Sequence, residues 1–181
     1  MDSREKIPPG KNLWLSRFAT PLGEMIGCAD ESGLIFLHWA DAENKFADSL
    51  LARAEEMHQG DNAVLAHLRE ELNAYFSGKS AEFHTKLHMW PHSAFRQKIW
   101  QALQAIPAAA THSYGEMTAN AGFARNFTRA AANAIGQNPF LLLVPCHRVI
   151  GADGSLTGYH GGLPRKQALL AHEQRFFGAK A

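Results

Sequence analysis

The densest reactive chemistry in this sequence is Pro145-Cys146-His147-Arg148-Val149, a thiol with an imidazole and a guanidinium beside it. A neighbouring base or cation lowers a thiol's pKa and turns it into a nucleophile. The stretch follows an unbroken apolar run, Phe140-Leu141-Leu142-Leu143-Val144. Such a run reads as a buried strand or buried extended segment. Pro145 fixes φ and ends any ladder, so the chain must turn where the thiol appears. A free cysteine is more often a buried structural residue, and locally both readings stay open.

The elements that must position this thiol are legible on either side of it. On its N-terminal side, Ser93 can cap a helix carrying Phe95, Ile99, Trp100, Leu103 and Ile106, stopped by Pro107. Ser113 can cap a short helix from Tyr114 to Ala121, with Glu116 placed for a capping box and Gly122 ending it. An Ala-rich helix, Phe127 to Ile135, follows and ends at Gly136, ahead of Asn138-Pro139. Two short helices around a Gly-containing turn form a helix-turn-helix candidate. The second carries Arg129 and no acid, as phosphate-lined grooves favour. After the thiol come a turn at Ala152-Asp153-Gly154-Ser155 and a Gly-rich loop at 157–162. A last helix then runs from Pro164 at N1 to Phe177 and is closed by Gly178.

The N-terminal half reads differently. Leu13–Phe18, Met25–Ala29 and Leu34–Trp39, joined by Gly-containing turns, predict a three-stranded antiparallel meander. A helix is expected over Glu43–Met57. A second, opened by Asp61-Asn62, carries a stripe of Val64, Leu65, Leu68, Leu72, Tyr75 and Phe76 up to Gly78. We therefore expect a small α/β domain over residues 1–88, a linker, and a mainly α domain over residues 92–178.

Composition narrows the function classes. At 181 residues and 46% hydrophobic content the chain is an ordinary globular protein. No run is long enough to cross a bilayer, and residues 1–11 lack the apolar core of a signal peptide. Two cysteines cannot make a disulfide framework, so a cytoplasmic protein is expected. The net charge of +1 hides an asymmetry. Residues 1–91 hold nine Lys and Arg against fourteen Asp and Glu, giving −5; residues 92–181 hold nine against three, giving +6. A basic half favours an acidic partner, nucleic acid above all.

The C-terminal half resembles the O6-alkylguanine-DNA alkyltransferases, the suicide methyltransferases that repair O6-methylguanine. The resemblance rests on Ser113-Tyr114-Gly115-Glu116, Arg129-Ala130, Asn138-Pro139 and Val144 through Gly151. It continues in Gly158-Tyr159, Gly161-Gly162-Leu163, Lys166 and Leu170-Ala171-His172-Glu173, and spans residues 93–175. Thr20-Pro21-Leu22-Gly23 is similar to the family's N-terminal domain, which implies a ribonuclease H-like fold there.

The resemblance implies a one-turnover transfer of an alkyl group from O6-alkylguanine, and also O4-alkylthymine, to Cys146. A base inside a duplex must first be flipped out to be reached. His147 would act as base through a water, oriented by Glu173, the nucleophile–base–orienter logic of hydrolase triads. Arg129, nine positions before Asn138, would fill the gap in the stack from the minor groove. Tyr114 would help rotate the phosphate and contact the base, and Asn138 would hold the turn before the active-site segment. Tyr159, the Val149 carbonyl, His160 and Lys166 complete the set expected on the substrate and DNA side.

Departures from the family are Ala108-Ala109-Ala110, in place of an aromatic-glycine-acidic piece, one extra residue between Gly122 and Arg129, and His160 where a small residue is usual. Some relatives carry a structural zinc in the N-terminal domain. Only Cys28 is available here, and His84 and His88 lie on an extended segment, so neither a metal nor a cofactor is expected. The expected state is a monomer on double-stranded DNA. Two rivals remain: a lesion-binding relative that does not transfer, which would lack the cysteine, and an unrelated Cys-His hydrolase, which would turn over.

Overall fold

The computed structural model describes residues 12–43, 47–48, 52, 56–89 and 93–179. The chain divides into two compact units, Met1–Asn73 with Phe83–His92, and Ala74–Glu82 with Ser93–Ala181.

In the first unit, β1 (Asn12–Thr20), β2 (Gly23–Ala29) and β3 (Leu34–Trp39) form the antiparallel meander that alternation and turn glycines predict. The sheet nevertheless has four strands rather than three. β4 (Glu56–Gln59) pairs in parallel with β1, giving the order β3-β2-β1-β4 and a mixed sheet. Glu-Met-His-Gln has little strand character of its own; pairing with the free edge of β1 makes it a strand. The expected helix over Glu43–Met57 lies largely outside the described residues.

The two sheet faces bury different sets. Leu13, Cys28, Phe36 and Ala47 cluster with Ile35, and Leu15 and Ile26 pack against them. Toward α1 (Ala63–Phe76), Gly27 makes room. A Cβ there would come within 2.9 Å of the Phe18 ring but only within ordinary contact of Leu65 at 3.5 Å, so the glycine makes room for the Phe18 ring beneath the helix. α1 is capped as expected, Asn62 Oδ1 accepting from Leu65 N at 3.0 Å. It buries Leu65, Leu68, Leu72 and Tyr75, one stripe at helical spacing.

In the second unit α2 (Ala94–Gln104) starts at Ser93, whose hydroxyl accepts from Arg96 N, and buries Ile99, Trp100 and Leu103. The Trp100 indole N–H donates to Ala134 O at 2.9 Å, so its one polar atom is satisfied inside the core. α3 (Tyr114–Asn120) carries the anticipated capping box, Ser113 and Glu116 each bonding the other's backbone N–H. Gly122 follows at φ +82°, a value that suits glycine. A 3-10 turn (Arg125–Phe127) leads into α4 (Thr128–Gly136). α5 (Leu163–Phe177) has Pro164 in its first turn. Two short parallel strands, β5 (His112–Ser113) and β6 (Val149–Ile150), tie the start of α3 to the segment after the thiol.

Candidate active site

Phe140–Val144 is buried as the apolar run implies, but it is not a strand. Leu141–Leu143 form a turn, Val144 N donates to Phe140 O at 2.8 Å, and Leu142 sits at φ +73°. Apolar content fixed the burial; the hydrogen bonding fixed the shape. Asn138 supplies it. Its buried side chain accepts from Phe140 N at 2.9 Å and donates to Val144 O at 2.6 Å. Nδ2 also lies 3.3 Å from Cys146 Sγ.

Pro145 then adopts φ −80°, ψ +65°, and Cys146 N donates to Val144 O at 2.8 Å, which is an inverse γ-turn. This tight turn delivers Cys146 into the 3-10 turn Cys146–Arg148. The thiol is 5% exposed. Burial pushes its pKa up to about 11, against the lowering pull of the Asn138 hydrogen bond, the Lys166 charge and nearby backbone N–H groups. The resting group is a neutral thiol, so a thiolate has to be made by removing a proton.

His147 and Glu173 are both fully buried, with His147 Nε2 2.7 Å from Glu173 Oε1. Burial alone would raise the Glu173 carboxyl, but hydrogen bonds and charge from His147 and Arg148 hold it well below the ordinary carboxylate range. An ionised carboxylate only accepts, so Nε2 carries the hydrogen. Burial lowers the His147 pKa, leaving a neutral ring whose lone pair is on Nδ1. Nδ1 is buried and has no hydrogen-bond partner among the described residues. A buried basic nitrogen in want of a donor is equipped to take a proton.

The Arg148 guanidinium, expected from sequence order to act on the thiol, is instead turned to Glu173. Nε and Nη2 reach the carboxylate at 2.9 and 2.8 Å, and Nη1 donates to Ile106 O at 2.6 Å. Adjacency in sequence does not set adjacency of side chains in a 3-10 turn, where successive residues diverge. Lys166 is the cation that acts on the thiol electrostatically.

Lys166 does not lie open to DNA, as its place in the resemblance suggests; it is fully buried. Its ammonium donates to Val149 O at 2.5 Å and Thr157 O at 2.6 Å. It thereby pins the loop that carries Gly158, Tyr159 and His160. The Val149 carbonyl already accepts from Lys166 and keeps a second lone pair for another donor.

Tyr114, Asn138, Cys146, Gly158, Tyr159 and His160 line one cavity of ≈ 270 Å³, together with Ala132, Ile135, Gly136 and Leu141. Tyr114 reaches across it, its hydroxyl 3.4 Å from Thr157 O. The Tyr159 ring stands edge-on to His147 at 6.4 Å. Arg129 is exposed on the first turn of α4. It shares a helix face with Ala132 and Gly136, three and seven residues on, and both of these line the cavity. The structure thus pairs His147 with Glu173, holds the Cys146 thiol on Asn138, places Tyr114, Asn138, Tyr159 and His160 around the cavity, and sets Arg129 on a helix face shared with two cavity-lining residues.

Two members of the buried network carry no sequence signal. Tyr75 Oη donates to Glu173 Oε1 at 2.8 Å from 98 residues away, and Ala109 N donates to Oε2 at 3.2 Å. His84 and His88 go to separate carboxylates, Glu71 and Asp30. No cluster able to hold a metal occurs among the described residues.

Residues 94–175 match the family described as 6-O-methylguanine DNA methyltransferase, DNA binding domain, and residues 15–89 match its ribonuclease-like domain. A methylated-DNA–protein-cysteine methyltransferase of Mycolicibacterium paratuberculosis is 52% identical over 106 residues, covering 59% of this chain and 63% of that protein. The chain thus matches a little under two thirds of that relative's length. The protein of the same name from Salmonella typhimurium is 36% identical over 162 residues, covering 87% of this chain and 93% of its own. The crystal structure of Mycobacterium tuberculosis OGT in complex with DNA superposes with a TM-score of 0.77 at 34% identity, covering 90% of this chain and 93% of that one. An N-terminal sheet domain and a C-terminal helical domain with a buried thiol at a cavity define the class. The chain belongs to the 6-O-methylguanine DNA methyltransferase family.

Proposed function

We propose that this protein repairs DNA by direct reversal, moving an alkyl group from O6-alkylguanine, and also from O4-alkylthymine, to Cys146 in one irreversible turnover. The observation that carries the reading is the buried Cys146 thiol, hydrogen-bonded by Asn138 and open to a cavity walled by Tyr114 and Tyr159. His147 Nδ1 takes the thiol proton through a water, and Glu173 steadies the imidazolium that forms. The thiolate attacks the alkyl carbon in line, the S–C bond forms as the C–O6 bond breaks, and the proton returns to the released guanine. The thioether has no proton to lose, so the site reacts once and needs no cofactor.

DNA recognition in this reading belongs to residues 92–178 and uses α3 and α4 as a helix-turn-helix in the minor groove, with residues 1–88 as a supporting domain. Arg129 replaces the flipped base in the stack. The exposed Arg125 beside it and the absence of carboxylates on α4 support this. Tyr159, His160 and the Val149 carbonyl receive the base, while Lys166 acts through the loop it pins. The reading takes the protein to act on DNA as a monomer. Both cysteines are free thiols, in keeping with the cytoplasm.

The test is to incubate the protein with duplex DNA containing O6-methylguanine and weigh the peptide carrying Cys146. The expected result is a gain of one methylene mass on Cys146, at most once per molecule. An unmodified Cys146 in excess lesion DNA would overturn the reading, in favour of a lesion-binding protein if the DNA were still bound. Multiple turnovers would point to a hydrolase.

A further inference from the structure

Glu173 serves more donors than a catalytic orienter needs. A carboxylate offers about four lone-pair sites. Here Oε1 accepts from His147 Nε2 at 2.7 Å, Arg148 Nη2 at 2.8 Å and Tyr75 Oη at 2.8 Å. Oε2 accepts from Arg148 Nε at 2.9 Å and Ala109 N at 3.2 Å. With Arg148 Nε also 3.2 Å from Oε1, donors from three residues therefore converge on the oxygen that His147 uses. We propose that Tyr75 is a positioning residue that sets the basicity of His147, by drawing charge from the Glu173 oxygen the two residues share.

The tyrosine is built in for this geometry. It is 1% exposed, and its ring packs against Phe76, His172 and Phe177. The His172 ring is held in turn by Nε2 on Tyr75 O at 2.8 Å. Burial beside Glu173 pushes the Tyr75 phenol far above its ordinary range, so it stays a neutral donor at any pH of interest. The other charged or titratable groups facing the pair are Arg148 and Lys166, both cationic, the Tyr159 phenol, and the Cys146 thiol, neutral at rest. Arg148 holds Glu173 ionised and the backbone N–H of Ala109 is fixed. Tyr75 is thus the adjustable side-chain donor. Each hydrogen bond given to Glu173 by another group leaves less charge on Oε1 for the imidazolium and makes His147 the weaker base.

This inference rests on His147 acting as base, yet its first test needs no alkyl transfer. The His147 titration is followed by nitrogen NMR in the full chain, comparing wild type with Tyr75→Phe and with 3-fluorotyrosine placed at 75. Removing the hydroxyl is expected to move the His147 pKa up by about 0.5 unit, and the more acidic fluorophenol to move it down. The acid limb of the single-turnover rate against pH should move in the same two directions. A thermal melt shows whether each variant is folded. An unmoved His147 titration in folded Tyr75→Phe, or both variants shifting the same way, would overturn the proposal and leave Tyr75 as core packing. A wild type that titrates and shifts as expected but never alkylates would instead refute the alkyl-transfer reading.

Discussion

Replacing Asn138 by alanine tests whether the thiol-bearing segment is held by a side chain rather than by its own apolar run. The substitution removes the acceptor for Phe140 N and the donors for Val144 O and Cys146 Sγ, all buried. Phe140 N, left unpaired in the interior, costs about 1–3 kcal/mol, and Val144 O, which still accepts from Cys146 N, loses one of two bonds at about 1 kcal/mol, so about 2–4 kcal/mol together. Leu142, at φ +73°, holds strain of about 1 kcal/mol under the clamp, and its release offsets part of that loss. For a chain of this size, about 2–4 °C per kcal/mol converts the loss to a melting point lower by about 5–15 °C. Asn138→Asp separates structure from chemistry. It keeps the acceptor for Phe140 N but turns a carboxylate oxygen toward Val144 O and the thiol. A negative charge beside Cys146 raises its pKa, and each unit of rise leaves about tenfold less thiolate. Calorimetry gives the first quantity and single-turnover mass spectrometry the second. A melting point of Asn138→Ala within about 2 °C of wild type would refute the clamp. Wild-type transfer by a destabilised Asn138→Asp would refute a chemical role for the Asn138–Cys146 bond.

Three further outcomes follow from the same geometry. Glu173→Gln leaves the Arg148 charge buried without its partner and should cost about 3–5 kcal/mol at neutral pH. Because the folded Glu173 pKa is depressed, its stabilisation is present above the unfolded value of about 4.3 and lost as pH falls. Urea midpoints of wild type and variant should therefore begin to converge as pH falls below about 4 and meet only as it passes through the depressed folded value, and a constant gap would contradict the linkage. Ala109→Gly should stabilise by about 1 kcal/mol, since Ala109 sits at φ +63°, where glycine is unstrained; a lower urea midpoint would count against this. Lys166→Met should raise the thiol pKa and slow alkylation, because it removes the cation near Cys146 and frees the carbonyls of Val149 and Thr157. A thiol titrating at its wild-type value would show that Lys166 acts only on the loop.

What could be read from the sequence was whatever depends on neighbours a few residues apart. The meander β1–β3, the Ser113–Glu116 capping box and the buried faces of α1 and α2 all follow from short-range pattern. β4 could not be read, because its strand character comes from pairing with β1 more than forty positions away. The Phe140–Val144 run shows the limit of apolar content, which reports burial and leaves the fold of the backbone to Asn138. The roles of Arg148 and Tyr75 were hidden for the same reason: their partner, Glu173, lies 25 and 98 residues away. Ala109 is the instructive middle case. Its departure from glycine was visible in the sequence, and its positive φ shows why glycine would suit the position.

Lys166, Leu169 and Glu173 recur at three and seven residues on α5, so one buried face carries a cation, an apolar residue and an anion. The cation fixes the loop that walls the cavity; the anion fixes the imidazole. A helix bearing opposite charges at set depths cannot slide by a turn without stranding both, so it is indexed against the rest of its unit. On the alkyl-transfer reading, reshaping the cavity for a larger group divides the sequence into two regimes. Positions 159 and 160 can vary on a loop held from beneath, whereas Gly158, at φ +36°, has to stay glycine and α5 has to be inherited whole, because any change that resets its depth retunes the base and the cavity together.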